Sequence, residues 1–545
     1  GVEYTLTVKD FAQNANQVKI QIPAGLVTDN SGNGNKVTEL IVYNVLKPTY
    51  TGTYDTLTNS ESRLDAPFLG NTSIQRQNID NITFVNGVSN ANETKWDVSA
   101  VGDNSILAWY TINDNGSLQL YIGSDDEIFA NQYSTDLFAY IGYSDKCTST
   151  ETITNIELLN VTGVTSMYGM FKYTGYNAMT KLDLGSKFDT SNVTSMNGMF
   201  DRTGHNAMTT LNLGSLFDTS NVQDMRTMFD HTGYVAMTGL DLGSKFDTSN
   251  VTDMYGMFVA TGYTAMTTLD LKDKFYTNNV TTMEAMFYST GEKAMTTLNL
   301  GANFDTSSVT IMKNMFRRTG HAKMTGLNLG SKFDTSQVTN MSYMFLGTGF
   351  NAMTSLNLGE LFDTSSVTDM NSMFYKTGHE KMTTLNLGDK FDTSKVTNMN
   401  NMFVETGYKE LTSLKLGNKF YITKVEDMIK MFQGTGFRKM TTLDLGPAFT
   451  RIPSEDIEGK TTTWIDENGI TQTETIPAHK ANQDMFTDTG KDGAITIYAS
   501  EQIYLDKNNF KTDTNATSST IEYTRGTINP KYRTEWIKQS STISE

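Results

Sequence analysis

The dipeptide Met-Phe returns every 29 residues through ten successive copies, and this period constrains the fold more than any other feature of the sequence. The phenylalanines of these copies are Phe171, Phe200, Phe229, Phe258, Phe287, Phe316, Phe345, Phe374, Phe403 and Phe432. An eleventh copy, Met485-Phe486, follows after one period plus an insertion of 25 residues. A fixed period of this length is typical of solenoids, in which each repeat buries its apolar side against its neighbours. We therefore expect one continuous core along the repeats.

A typical unit, from Ala207 to Gly233, indicates the path of one coil. Leu211 and Leu213 alternate with polar residues, which predicts a short parallel strand with both leucines turned inward. Phe217 then opens a return arm, and four apolar residues at helical spacing predict a short helical turn. These four inward residues are Val222, Met225, Met228 and Phe229. The expected fold class is a repeat solenoid with one short strand and one short helical turn per coil.

The composition argues against several classes of partner. Forty-three Lys and Arg stand against 60 Asp and Glu, a net charge of −17 that disfavours nucleic acid and anionic membranes. Cys147 is the single cysteine, so neither an internal disulfide nor a cysteine-rich zinc site is expected. No apolar run approaches the roughly 20 residues of a membrane span. Because we identify neither a leader nor a sorting signal, we expect a fragment of a longer chain. We also expect this fragment to be monomeric.

The sequence carries no motif of a known class of catalytic site, and we do not expect an enzyme. An Asp recurs after the return-arm Phe, and its constant register favours a turn-capping role over catalysis. The Asp residues in this column are Asp189, Asp218, Asp247, Asp305, Asp334, Asp363 and Asp392. Asp29, Ser31 and Asn33 begin like a calcium loop. Leu40 stands where such a loop needs its bidentate Glu, so an ordinary turn is favoured and no cofactor is expected.

The motif LxLGxxFDTSxVTxMxxMF resembles the BspA-like leucine-rich repeats of bacterial surface proteins, and the resemblance covers about 160–490. The stretch from Trp96 to Phe138 looks like the β-rich segment that caps such arrays. Ile20 to Gly25 and Thr28 to Asn35 resemble the last strands of a bacterial immunoglobulin-like domain. The resemblance implies a leucine-rich-repeat-like solenoid in an extracellular, surface-anchored adhesin that binds a host or neighbour-cell protein or glycan.

Four segments are expected on this basis. Residues 1–47 would be the end of an immunoglobulin-like domain, and 48–155 a linker with a β-rich cap. Residues 156–490 would form about eleven 29-residue repeats, with a hairpin inserted at about 451–480. Residues 491–545 would supply a cap strand and a polar tail. The inserted hairpin contains Trp464, and we expect it either to cover the open end of the solenoid or to bind a ligand.

Positions that differ between copies are the best candidates for ligand binding, and they lie on either side of an invariant Thr-Gly pair. The residue after this pair is aromatic or His in nine of ten copies. Two interpretations remain open: a stacked ladder that supports the loops, or an exposed aromatic stripe that binds sugars or protein. We also expect Arg317, Arg318, His321, Lys323 and Lys293 to form an exposed basic island. The predicted binding residues are Tyr263, Tyr288, Arg317, Arg318, His321, Lys323, Phe350, Tyr375, His379, Tyr408 and Trp464.

Two other functions are compatible with the same sequence. A purely structural stalk or spacer would need the repeats but not the variable positions. A targeting module of a larger extracellular enzyme would use the variable positions beside a catalytic domain.

Overall fold

The computed structural model describes most of the chain between residues 67 and 449. The described residues are 67–88, 94–100, 102–449 and, outside these ranges, 18–22, 38–42, 456–457, 460–465, 471–476, 479–480, 485–486, 488–490, 495–499, 525–527 and 534–537. In the first segment, strands β1 (Val18–Ile22) and β2 (Thr38–Val42) pair antiparallel. The stretch that begins like a calcium loop, with Asp29, Ser31 and Asn33, lies outside the described residues.

A β-rich unit precedes the repeats and contains two 3-10 helices, Arg76–Asn78 and Ile156–Leu158. Its strands are β3 (Pro67–Phe68), β4 (Asn71–Gln75), β5 (Ile79–Asn86), β6 (Trp96–Asp97), β7 (Leu107–Ile112), β8 (Leu118–Ser124), β9 (Ile128–Phe129), β10 (Ile153–Thr154) and β11 (Leu159–Asn160). Five of them form a sheet in the order β10-β5-β8-β7-β6. Strands β7 and β8 pair antiparallel as a hairpin, and at its turn the N–H of Asn113 donates to the carbonyl of Ser117 (2.9 Å).

The repeats form a solenoid of short parallel strands. The strands are β12 (Lys181–Asp183), β13 (Thr210–Asn212), β14 (Thr268–Asp270), β15 (Thr297–Asn299), β16 (Ser355–Asn357), β17 (Thr384–Asn386), β18 (Ser413–Lys415) and β19 (Thr442–Asp444). Each strand pairs in parallel with a strand one repeat away, and Leu182, for example, lies opposite Leu211. The middle leucine of each strand is buried, and most of its neighbours face solvent, so the coils share one core.

The inward positions predicted from one repeat are all confirmed. Leu211, Leu213 and Phe217 are buried, and Val222, Met225, Met228 and Phe229 are completely so. All 30 methionines of the chain are buried as well. Their flexible side chains fill the irregular spaces between stacked coils, which explains the methionine-rich composition.

The predicted helical turn is wrong. The segment that holds Met225, Met228 and Phe229 makes overlapping β-turns, in which Met228 N–H donates to Met225 and Thr232 N–H to Phe229. The alternate amides, those of Thr227, Phe229 and His231, donate to the next coil, as Thr227 N–H does to the carbonyl of Tyr255 (2.8 Å). Thr227 and His231 have φ of +50° and +52°, and such left-handed residues cannot continue a right-handed helix. Apolar spacings of three and four residues arise equally from such turns.

One additional coil lies upstream of the first recognised repeat. Phe138 stacks on Phe171 with ring centroids 5.4 Å apart. The backbone N–H groups of Asp136 and Tyr140 donate hydrogen bonds to the next coil, as the equivalent groups in the repeats do. Sequence reasoning missed this coil because Leu137 replaces the methionine and the interval to Phe171 is 33 residues rather than 29.

The eleventh copy stacks on the tenth despite the insertion, with Phe486 and Phe432 centroids 5.4 Å apart. The inserted segment contains the predicted hairpin, in which Trp464 pairs with Gln472. Its strands are β20 (Asp456–Ile457), β21 (Lys460–Ile465), β22 (Thr471–Ile476) and β23 (His479–Lys480). Strand β24 (Thr496–Ala499) then continues the parallel stack beside β19. Two strands that the polar-tail prediction did not include, β25 (Arg525–Thr527) and β26 (Thr534–Ile537), extend this sheet.

Candidate functional site

The invariant Thr-Gly pair has a structural role. Thr232 is buried, and its Oγ1 donates to the carbonyl of Phe200 in the previous coil (2.7 Å). Gly233 has a φ of +53°, and a Cβ on it would lie 2.5 Å from Cβ of Met237. A Cβ at the equivalent glycines from Gly175 to Gly436 would approach within 2.3–2.5 Å of the corresponding side chain. Both residue types are therefore required by packing in every coil.

The aspartate column caps turns, as predicted. In the coil of Phe217, the Oδ1 of Asp218 accepts the N–H of Ser220 (2.9 Å), and Thr219 Oγ1 donates to the carbonyl of Asp247 in the next coil (2.7 Å). The same carboxylate-to-amide contact, at 2.9–3.0 Å, is made by Asp189, Asp218, Asp247, Asp305, Asp334, Asp363 and Asp392. These carboxylates therefore already accept hydrogen bonds from backbone N–H groups.

The positions that vary from coil to coil lie together on one side of the solenoid, which we call the turn face. In one coil it consists of Thr227, Asp230, His231 and Tyr234, and in every other coil of the equivalent residues. Sequence reasoning found three of these four columns and missed that of Thr227. The missed column holds Gly, Thr, Ala, Asn, Tyr, Ser and Lys in different coils, a variation that was visible in the aligned repeats.

The residues after Thr-Gly form a column of stacked rings along the turn face, which we call the ring column. Tyr234 stacks on Tyr263 at 4.5 Å, and Phe350 on His379 at 4.4 Å, with planes within 7° of parallel. The rings belong to Tyr176, His205, Tyr234, Tyr263, His321, Phe350, His379, Tyr408 and Phe437. Each is half-buried. Where a ring lies between two others, both of its faces are covered and only its edge is left to solvent.

Glu292 interrupts the ring column and is buried, with a side chain only 1% exposed. Its carboxylate accepts two hydrogen bonds from Arg318 (2.6 and 3.0 Å), one from Ser289 and one from the hydroxyl of Tyr263 (both 2.9 Å). Burial alone would raise the pKa of Glu292, but the hydrogen bonds, that of Arg318 first, lower it to about 2. The carboxylate is therefore held in its charged form.

The basic island is only partly as predicted. The guanidinium of Arg318 is paired with Glu292 and is half-buried, so the expectation of a freely exposed charge at this residue is wrong. Arg317 is also half-buried and lies over the rings of Tyr288 and Tyr343, 5.0 and 5.7 Å from their centroids. Of the predicted binding residues in this region, Lys323 is the one that is exposed.

Burial and the nearby Arg318 charge lower the pKa of His321 to about 4, so this ring is neutral at pH 7.

His379, two coils further along, lies between two carboxylates. Its Nδ1 is 2.8 Å from Glu380 and its Nε2 is 3.2 Å from Glu405. Hydrogen bonding with His379 and the charge of Lys376 lower the pKa of Glu405.

A cleft of about 360 Å³ opens on the turn face near the last coils and brings together two predicted residues, Tyr375 and Tyr408. A second cleft, of about 510 Å³, lies where the β-rich unit meets the first repeats and is lined by Asp125, Asp126, Glu127 and Glu157 among others. The side chain of Trp464 lies outside the described residues. Within the described part of the chain, no group of three His, Cys, Asp or Glu side chains could hold a metal ion.

Cys147 is buried, and its thiol donates to the carbonyls of Gln77 (3.4 Å) and Ile79 (3.6 Å). Burial raises the pKa of this thiol to about 12, so it is held protonated. Nowhere in the described residues does a helix reach the length and apolarity that crossing a bilayer requires.

The fold and the turn face together define a repeat protein, a parallel solenoid of stacked coils with one variable side. Comparison with known families agrees: the family described as "Mycoplasma protein of unknown function, DUF285" matches at 142–259, 205–327, 261–357, 292–379 and 349–442, which together cover more than half of the chain. The chain belongs to this family. No curated protein and no solved structure shows a significant match to it.

Proposed function

We propose that the chain is the non-catalytic binding part of a bacterial cell-surface adhesin of the BspA-like class, preceded by the end of an immunoglobulin-like domain. Its turn face would engage an extracellular protein or glycan. The membership in a repeat family and the solenoid fold support this proposal, since stacked coils offer an extended surface to a macromolecule.

One observation carries the proposal. The positions that hold the coils together, such as Thr232, Gly233 and Asp218, have the same hydrogen bonds or close contacts in nearly every coil. The turn face holds different residues in successive coils and stays at least partly open to solvent along most of its length. A surface that varies on an otherwise uniform scaffold is what recognition of a specific partner requires.

Two features support a non-catalytic role. The aspartate column is committed to backbone amides, and the Cys147 thiol is buried and protonated. A carboxylate or thiol in such a setting is poorly placed to act as a base or nucleophile.

A stalk or spacer is the second candidate. It is favoured by the core column of phenylalanines, which stacks without interruption from Phe138 to Phe486. A spacer of this kind has no need of a variable side, whereas a binding module or the targeting module of a larger enzyme does.

The test is a binding screen of the full chain against a glycan array and a panel of purified extracellular-matrix proteins. For any hit, a turn-face variant, Tyr375→Ser with Lys430→Ser, is compared with a strand-side variant, Thr384→Ser with Lys415→Ser. Each removes one lysine charge, so a loss of binding in the first alone supports recognition by the turn face. No hit in the screen, or an equal effect of both variants, would count against the proposal and favour the spacer.

A further inference from the structure

In one column of the turn face, the residue in the coil near the end of the array is a glycine, Gly434, which has no side chain. The equivalent residues in the coils on either side are Glu405 and Asp488. A Cβ on Gly434 would lie 3.1 Å from Cγ of Glu405 and 3.6 Å from the ring of Tyr408, so any larger residue would fill this space. The missing side chain opens the cleft of about 360 Å³ that both acidic residues line.

Three polar side chains at this cleft have unused hydrogen-bonding groups. Asn401, Lys430 and Gln433 line it, and their side chains make no hydrogen bond or ion pair with any described residue. Elsewhere on the turn face, comparable side chains are paired, as Arg318 is with Glu292. Unpaired donors gathered around one depression give a small polar ligand several simultaneous hydrogen bonds.

The lining also contains acceptors and an apolar surface. The Glu405 carboxylate is 3.2 Å from His379 and 3.5 Å from Lys376, which hold it in place and offset its charge. Tyr375 stacks on no other ring among the described residues, and its one aromatic contact is the Lys376 ammonium, 5.3 Å from the ring centroid. Tyr375 therefore differs from the rings of the ring column, each of which stacks on at least one neighbouring ring.

We propose that this cleft binds one neutral sugar residue, as the most specific contact of the turn face; the proposal rests on the binding function proposed above. A sugar hydroxyl both donates and accepts, so it can bond to a carboxylate and to Lys430 or an amide at the same time. The C–H groups of a sugar ring fit against an unstacked tyrosine. The lining has two carboxylates, Glu405 and Asp488, and one lysine, Lys430, a balance that disfavours small anions.

The experiment measures saturation transfer by NMR from the full chain to free glucose, galactose and N-acetylglucosamine, with N-acetylneuraminic acid as a charged comparison. Gly434→Arg fills the cleft, and Gly347→Arg makes the same change in the same column three coils away. Both variants should fold, since this column already holds arginines at positive φ, Arg202 at +55° and Arg318 at +56°.

We expect at least one neutral sugar to bind, Gly434→Arg to weaken its affinity by about tenfold or more, and Gly347→Arg to change it by less than about twofold. Lys430→Ala with Gln433→Ala should also weaken it. Binding of the acidic sugar alone, or equal losses in both arginine variants, would overturn the proposal. So would the absence of sugar binding when the turn-face variant still loses a macromolecular ligand, a result that leaves the proposed function intact. If neither sugars nor macromolecules bind, both proposals fail.

Discussion

The solenoid contains two long aromatic stacks that tolerate change very differently. The core stack, from Phe138 to Phe486, is phenylalanine in every coil, with ring centroids 5.3–5.7 Å apart. The ring column has centroids 4.4–4.8 Å apart but holds Tyr, His, Phe and once Glu. Core rings also meet a second phenylalanine column at their edges, as Phe200 meets Phe217 at 6.3 Å. The number of covered sides therefore decides how strictly a residue type is kept.

The largest effect is expected in the core stack. Phe316→Ala removes a completely buried ring between Phe287 and Phe345 and should lower the free energy of unfolding by about 3–5 kcal/mol. Equilibrium denaturation measures the loss. Hydrogen exchange should show the loosening in neighbouring coils before distant ones, because each coil contacts mainly its neighbours. Uniform loosening along the array would contradict this.

The break in the ring column should give the next largest effect. Arg318→Ser leaves the buried Glu292 carboxylate without its guanidinium and should cost about 2 kcal/mol at pH 7. The folded-state pKa of Glu292 is about 2, below its ordinary 4.5. A lowered pKa contributes stability that is fully present above pH 4.5 and is lost as the pH falls towards 2.

The difference in stability between the parent chain and Arg318→Ser should therefore shrink as the pH is lowered from 6 to 3, as followed by urea denaturation at each pH. Lys323→Ser is the control, since it removes a nearby exposed charge. A difference that stays constant over this range would show that the pair does not hold the carboxylate charged.

A ring of the ring column should matter less than a core ring. Phe350 stacks between His321 (4.8 Å) and His379 (4.4 Å) and is half-buried. Phe350→Ala should cost about 1–2 kcal/mol. Phe350→Tyr should cost less than about 0.5 kcal/mol because a hydroxyl at the ring edge reaches solvent. Phe316→Tyr buries that hydroxyl and should cost about 1–3 kcal/mol, and similar values for the two tyrosine variants would refute the comparison.

The smallest effect is expected at Lys323. This side chain is exposed, and Lys323→Ser should change the free energy of unfolding by less than about 0.5 kcal/mol. Thermal melts of Lys323→Ser and Arg318→Ser, recorded side by side, check this prediction. A marked loss of stability would place Lys323 in the scaffold.

The inward positions could be predicted because the same residues recur: Leu211, Met225 and Phe229 each have equivalents in ten successive copies. The turns could not, since a left-handed Thr227 or His231 leaves no mark in the residue type. Nor could the pairing of Glu292 with Arg318, because the two residues occupy different columns of adjacent coils. The cleft at Gly434 could not be predicted either. A glycine in a variable column shows only that the residue type varies, whereas the cleft depends on which side chains surround it.

The turns link each coil to the next by amides on their own side of the solenoid, while the strands do so on the other. If a bound partner pulled the protein along the solenoid axis, no single boundary between coils would be weaker than the rest. Among the ten regular copies, each boundary that opened would release one coil of 29 residues, or roughly 100 Å of extended chain. Stretching would proceed in equal steps, and the coils still stacked would keep their turn face intact.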